Sequence, residues 1–289
     1  MPWHSRLPTG SEKSLFTLRP LTSPNDFALA VALQRAVWGE DFSDVVPPAI
    51  LHIVGYVGGI AAGAFTDDGT LAGFVFGISG IRDGRLSHWS DTLAVRAEYR
   101  DRGIGERLKR YQRELLLALG IERMYWTFDP LESRNAHLNF NRLGATASEY
   151  HRDFYGATTN STLHQDIGTD RLVVLWELAS PRVATSLTAS TDGAPHDHLH
   201  AIPLVNETSQ GAQGPVSSEP DLALDAPTVR LAIPADIQAL KSGSSELARE
   251  WRRVTRLAFE SYLAKGYIVR ALVRRGAHSE YILERHGVT

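Results

Sequence analysis

The residues from Leu93 to Gly105 have the types and order of an anion cradle. A short apolar run, Leu93-Ala94-Val95, passes through a charged connection into Arg100-Asp101-Arg102-Gly103-Ile104-Gly105, and an amphipathic helix pattern starts at once. Glycine lacks a Cβ, so a turn here brings backbone N–H groups against a phosphate while the helix N-terminus adds partial positive charge. Two other phosphate readings fall on spacing: the run is not the G-x-G-x-x-G of dinucleotide folds, and no G-x-x-x-x-G-K-[ST] occurs.

Several elements must hold that loop in place. Upstream, the pattern gives a strand at 15–18, a helix started by Ser23-Pro24-Asn25-Asp26, and a short helix opened by Pro47-Pro48 and closed by Gly58-Gly59. Strands at 60–65 and 71–78 flank Asp67-Asp68-Gly69, a tight hairpin signal, and a strand at 86–95 follows the Asp83-Gly84 turn. Strands that reach the loop through hairpins are unlike the parallel crossovers of nucleotide-binding sheets. In the helix after the loop, Ile104, Leu108, Tyr111, Leu115 and Leu119 make one buried face, with Arg107, Lys109, Arg110 and Arg113 expected mostly elsewhere. A strand at 121–128 follows Gly120, then a helix capped by Ser133 and running to about Leu143, and strands at 146–155 and 171–178. The fold class expected is α+β, a mixed, mostly antiparallel sheet with flanking helices, in a first domain at 15–180.

The stretch 181–228 has no aromatic residue and is rich in Pro, Gly, Ser and Thr, a composition expected of a flexible linker or insertion. A smaller α+β region at 229–289 completes the chain: a strand at 229–233, a helix over 245–265 and a hairpin of 267–273 with 279–285.

Thirty basic and thirty-three acidic residues give a net charge of −3, without the basic excess of a nucleic-acid binder. The absence of cysteine excludes disulfides, thiolate zinc sites and a cysteine nucleophile. The N-terminus lacks the apolar segment of a secretory signal, and the apolar stretch 49–65 is broken by glycines, so the expectation is a cytoplasmic protein with no membrane partner. A histidine-rich tract, His196-Asp197-His198-Leu199-His200, has metal-ligand composition but sits in the segment expected to be flexible, and no metal is expected.

The loop, the strand before it, the helix after it and a second motif, Asn135-Ala136-His137-Leu138-Asn139-Phe140-Asn141-Arg142-Leu143-Gly144-Ala145, together resemble the GNAT superfamily of acyl-CoA-dependent N-acyltransferases. Trp126 to Leu131, Arg134-Asn135-Ala136, Phe154-Tyr155-Gly156 and Thr169-Asp170-Arg171 resemble one branch with an extra C-terminal region. Some members of that branch are associated with N-acylamino-acid racemases. The resemblance implies an acyl-CoA co-substrate, acetyl-CoA or succinyl-CoA, and a small-molecule amine acceptor, an amino acid above all. The implied cofactor contacts are Leu93, Ala94, Val95, Arg100, Asp101, Arg102, Gly103, Ile104, Gly105 and Asn135. A non-catalytic acyl-CoA-binding module and a protein-lysine acetyltransferase are the alternatives, and the C-terminal region is expected to cover the acceptor or to make a homodimer.

Direct attack of an amine on a thioester needs a proton acceptor, an oxyanion site and a way to release the thiolate. Asp91 is the first candidate base and His88 the second. The family commonly places a tyrosine acid where this chain has Phe140, so Tyr155, Tyr150 and Ser133 are the substitutes to consider. Arg134, Arg142 and Arg171 are the candidates to meet a substrate carboxylate.

Overall fold

A computed structural model describes residues 15–156, 167–189 and 201–287. The first part of the chain forms β1 (Thr17–Pro20), α1 (Pro24–Trp38), α2 (Pro48–Ile53), β2 (Ile60–Phe65), β3 (Leu71–Arg82), β4 (Arg85–Val95), α3 (Ile104–Ala118), β5 (Arg123–Phe128), α4 (Ser133–Ala136), β6 (Thr146–His151) and β7 (Arg171–Glu177). The later part forms α5 (Pro181–Thr188), β8 (Thr208–Gly211), β9 (Gly214–Ser217), β10 (Thr228–Pro234), α6 (Ile237–Gly243), α7 (Ser245–Ala264), β11 (Tyr267–Arg274) and β12 (His278–Arg285).

Ten strands share one sheet in the order β1-β2-β3-β4-β5-β7-β6-β11-β12-β10, while β8 and β9 form a separate hairpin. All neighbours in the large sheet are antiparallel except β4 and β5. Side-chain alternation divides its core in two. Phe74, Phe76 and Ala94 pack with Phe27, Leu33 and Leu51 of α1 and α2. Val75 packs on the opposite face with Ile104 and Leu108 of α3. The expected mixed, mostly antiparallel α+β fold is what the chain adopts.

Local chemistry explains the element starts. Ser23 and Asp26 form a reciprocal capping box at α1, and Arg19 clamps the Asp26 carboxylate at 2.7 Å. Gly58, Gly69, Gly84 and Gly120 take the positive φ their turns require.

Two expectations need correction. The stretch 181–228 was expected to be flexible, yet Ser180 caps α5 and residues 201–228 are fastened to the C-terminal elements. Val205 N–H donates to the Arg230 carbonyl at 2.7 Å, Trp251 Nε1 donates to the Pro215 carbonyl at 2.8 Å, and the Tyr262 hydroxyl donates to the Asp221 carbonyl at 2.7 Å. The histidine tract 196–200 and most of the polar loop after Gly156 lie outside the described residues. The helix expected from Ser133 to Leu143 is only one α-turn, α4, followed by a π-helical turn over His137–Arg142. Ser133 does not cap it: its hydroxyl is buried and bonded to Ser279 at 2.8 Å.

Candidate active site

The site begins where two strands part. β4 is paired along its length with β3, but with β5 only at His88↔Met124 and Trp89↔Tyr125. β4 continues to Val95 and β5 to Phe128 without further pairing, so from Ser90 onward the edge of β4 presents unpaired backbone groups to an open slot. On the other edge, the register steps from Gly77↔Ser90 to Phe76↔Thr92, which leaves Asp91 as the extra residue of a β-bulge. Gly77 permits this geometry, since a Cβ there would lie 2.3 Å from His88 Nε2 and 2.5 Å from the Trp89 carbonyl.

The predicted anion loop caps the wide end of the slot. Arg100, Asp101, Arg102 and Gly103 are exposed, and Asp101 and Gly103 both hold left-handed backbone, with φ of 61° and 72°. Arg107 is the first α3 residue whose N–H bonds back, to the Gly103 carbonyl at 3.0 Å, and Gly103 supplies no side-chain cap. The N–H groups ahead of it are therefore available to a phosphate. Across the slot stands α4, where Asn135 is exposed and Arg134 lies 3.6 Å from Asp101. This surface pair adds little stability but brings α4 beside the loop.

On the α1–α2 face of the sheet, Asp91, Tyr155 and Thr127 come together. The Tyr155 and Thr127 hydroxyls are 3.0 Å apart. The Asp91 carboxyl is reachable by solvent but hemmed in by protein, and this desolvation raises its pKa, against a bond from the Thr92 hydroxyl and with help from the nearby charge of Asp44. Desolvation also raises the Tyr155 phenol, with Asp91 as a further cause. Arg171 closes this side: it is buried, donates to the Asp170 carbonyl at 2.9 Å, and carries its guanidinium 5.3 Å from the Tyr155 ring centre.

The opposite face holds a buried polar chain. Lys109 Nζ donates to Ser90 Oγ at 2.8 Å and lies 4.0 Å from the Trp126 ring centre. Ser90 donates to Gln112 Oε1 at 3.0 Å, Gln112 Nε2 meets His88 Nε2 at 2.9 Å, His88 Nδ1 meets Ser79 Oγ at 2.9 Å, and Ser79 donates to the Gly58 carbonyl at 2.6 Å. This order of donors makes His88 a neutral Nδ1–H tautomer. Burial, then the charge of Lys109, depresses its pKa to about 3. With both ring nitrogens occupied and the ring enclosed, His88 has no atom to offer a substrate in the Asp91 cleft.

Lys109 is a site feature that the helix pattern placed wrongly. Ser90 and Trp126 are the first residues beyond the last β4–β5 pair, so the amine fills the vertex where the strands separate. Burial lowers its pKa to about 7, and no ion pair to it forms among the described residues.

The other candidates separate cleanly. Phe140 is buried against Phe128 and Tyr281, with ring centres 5.8 and 5.9 Å apart. Tyr150 is committed to Asp170, and Arg142 to Glu106 at 2.9 Å. Tyr155 is the hydroxyl that opens on the Asp91 cleft, and Arg171 is the arginine beside it.

The C-terminal elements fasten the α4 side of the slot. Arg252 of α7 bonds Asp129 at 2.5 Å, Tyr281 of β12 donates to the Pro130 carbonyl at 2.6 Å, and Gln238 of α6 donates to Glu132 at 2.6 Å. Asn141 bonds both backbone groups of Leu272 at 2.9 Å. These contacts grip the segment from Asp129 to Asn141, which contains Asn135.

A strand-splayed α+β sheet, a glycine loop at the slot's wide end and a bulged strand beside a carboxylate fit the acyl-CoA-dependent N-acetyltransferases. Residues 31–145 match the acetyltransferase (GNAT) family, and the chain carries a domain of that family. The matched domain is that of an acyl-CoA-dependent N-acetyltransferase. Solved structures of similar shape include a GNAT-family acetyltransferase from Streptococcus pneumoniae, at 20% identity over 55% of this chain and 97% of that one, TM-score 0.44. The ribosomal-protein-S18-alanine N-acetyltransferase from Escherichia coli is 14% identical over 62% of this chain and 99% of its own, TM-score 0.44. An aminoglycoside 6'-N-acetyltransferase complexed with coenzyme A is 16% identical over 57% and 98%, TM-score 0.42. No curated protein matches the chain.

Proposed function

We propose that this enzyme moves an acetyl or succinyl group from coenzyme A to the amine of a small acceptor, an amino acid, with Asp91 as the proton acceptor. The observation that carries the reading is the placement of Asp91 on the β4 bulge, where the slot meets a cleft that also holds Tyr155 and Arg171. The loop from Arg100 to Gly105 holds the pyrophosphate, Leu93 to Val95 line the arm, and Asn135 contacts it from the far side.

The amine nitrogen attacks the thioester carbonyl carbon. An unpaired N–H of β4 beyond Trp89 polarises the carbonyl oxygen and stabilises the charge it gains. Asp91 takes the amine proton directly or through water, and its raised pKa makes it a better base than an ordinary carboxylate. The C–S bond then breaks and the thiolate leaves, with the Tyr155 hydroxyl placed to return a proton. An acceptor carboxylate is met by Arg171. The reading places the enzyme in the cytoplasm; among the described residues no helix is long and apolar enough to cross a membrane.

The test follows free thiol from acetyl-CoA and succinyl-CoA against a panel of D- and L-amino acids, in a protein with no cysteine background. Acceptor-dependent release is expected, reduced on the order of 100-fold in Asp91→Asn with coenzyme A affinity unchanged. Equal turnover in the variant removes Asp91 as the base.

A further inference from the structure

The cleft beside Asp91 is paved with aromatic side chains, of which the catalytic roles above use only the Tyr155 hydroxyl. Trp89 lies on the opposite side of β4 from His88, and its ring is stacked on Phe154, centres 6.2 Å apart and planes within 9°. Phe154 meets Tyr155 edge to face at 4.9 Å, and the Tyr155 hydroxyl reaches Thr127. Ile78 stands directly across from Trp89 in the β3–β4 register and is 49% exposed. Phe154 and Tyr155 remain 38% and 48% exposed.

This is an apolar shelf open to solvent, bounded by the carboxylate of Asp91, with the buried guanidinium of Arg171 over the Tyr155 ring and 3.9 Å from the Asp129 carboxylate. Contiguous exposed aromatic surface beside convergent polar groups is the composition of a ligand site rather than of a solvated rim. The shelf offers ring faces and ring edges together, and a third aromatic ring gains from both arrangements beyond what its buried area provides.

We infer that the Trp89–Phe154–Tyr155 shelf selects the acceptor by its side chain, and that the preferred acceptor is an amine bearing an aromatic ring, with phenylalanine the simplest amino-acid example. The inference rests on the proposed acceptor role of the Asp91 cleft. The amine lies toward Asp91, the carboxylate toward Arg171 and the ring against Phe154. Trp89 and Phe154 are specificity-determining residues and take no part in proton transfer.

Two measurements test this separately from the transferase reading. The first is kcat/KM with acetyl-CoA for phenylalanine, leucine and alanine. Phenylalanine should exceed alanine by at least about ten-fold and leucine by a few-fold. Phe154→Ala, or Phe154→Leu if the first variant does not fold, should bring the phenylalanine preference over leucine close to unity. The second is calorimetric binding of the same amino acids to protein saturated with coenzyme A, where no acyl group is present and no turnover is needed. Selective binding of phenylalanine without any turnover from acetyl-CoA or succinyl-CoA supports the shelf and defeats the transferase reading. Turnover with a phenylalanine-to-alanine ratio below about two, or a preference unchanged in the Phe154 variants, overturns the shelf and leaves that reading standing.

Discussion

Replacing Lys109 with methionine should remove a rise of stability with pH. The Nζ of Lys109 is fully enclosed between Ser90 and Trp126, and burial lowers its pKa from 10.5 to about 7. Between those two values the unfolded chain still holds a proton that the folded chain has released, so stability increases with pH across the window. Below about pH 7 both states are protonated and the folded state carries the whole desolvation cost, on the order of 5 kcal/mol. The slope inside the window is roughly 1 kcal/mol per pH unit, which for a chain of this size is about 2–4 °C of melting temperature. His88 titrates below the window, and the tyrosines, raised from 10.0 in the fold, keep their protons in both states up to about pH 9. Methionine keeps the apolar stem and loses the Ser90 bond, a cost of about 1 kcal/mol that does not vary with pH. Thermal melts followed by circular dichroism should therefore show the native protein rising by roughly 5 °C between about pH 7 and about pH 9, and Lys109→Met staying level. An identical rise in the variant would refute the placement of a buried amine without an ion pair at the vertex of the slot.

Gly103→Val forces a branched side chain into left-handed backbone at a position open to solvent, so the fold should persist with about 1–2 kcal/mol lost, while calorimetry should show coenzyme A affinity reduced about ten-fold. Asp129→Asn leaves the buried Arg252 without its charged partner, and denaturant unfolding should register a loss of about 3–5 kcal/mol; a loss under about 1 kcal/mol would mean that the C-terminal elements do not depend on this pair. Asp44→Asn removes a like charge that raises the Asp91 carboxyl, so the acid limb of the kcat/KM profile should move to lower pH. An unmoved limb would show that Asp91 does not set it.

The parts of the site written in local sequence were legible. The Asp-Gly hairpins, the glycine loop and the stop at Gly120 each follow from residues within one turn of one another, and each stands where expected. What was not legible depends on distant partners. Lys109 lay outside the expected apolar face of α3, yet it is drawn inward because two strands separate beneath it and leave Ser90 and Trp126 to be filled. Gln112, three residues on and wholly buried, shares that face, but polar residues at this spacing are equally the pattern of an exposed face, so the helix pattern carried no signal of it. The stretch after Ala201 read as flexible because it has no aromatic side chain of its own; it is fixed by Trp251 and Tyr262 of α7, which donate to its backbone. The π-helical turn after α4 likewise coincides with a pair of hydrogen bonds between Asn141 and Leu272, far along the chain. Separation of β4 from β5 has no composition at all, because it is a property of backbone pairing.

In the proposed reaction the slot between β4 and β5 presents an acyl-CoA thioester to an amine held beside Asp91. Mass spectrometry of a single-turnover mixture of enzyme, isotopically labelled acetyl-CoA or succinyl-CoA and an amino acid tests it most directly. Labelled N-acyl amino acid is expected in equal amount to the coenzyme A released. Coenzyme A released with free labelled acid and no acylated amine, or no release with any amino acid offered, would contradict it.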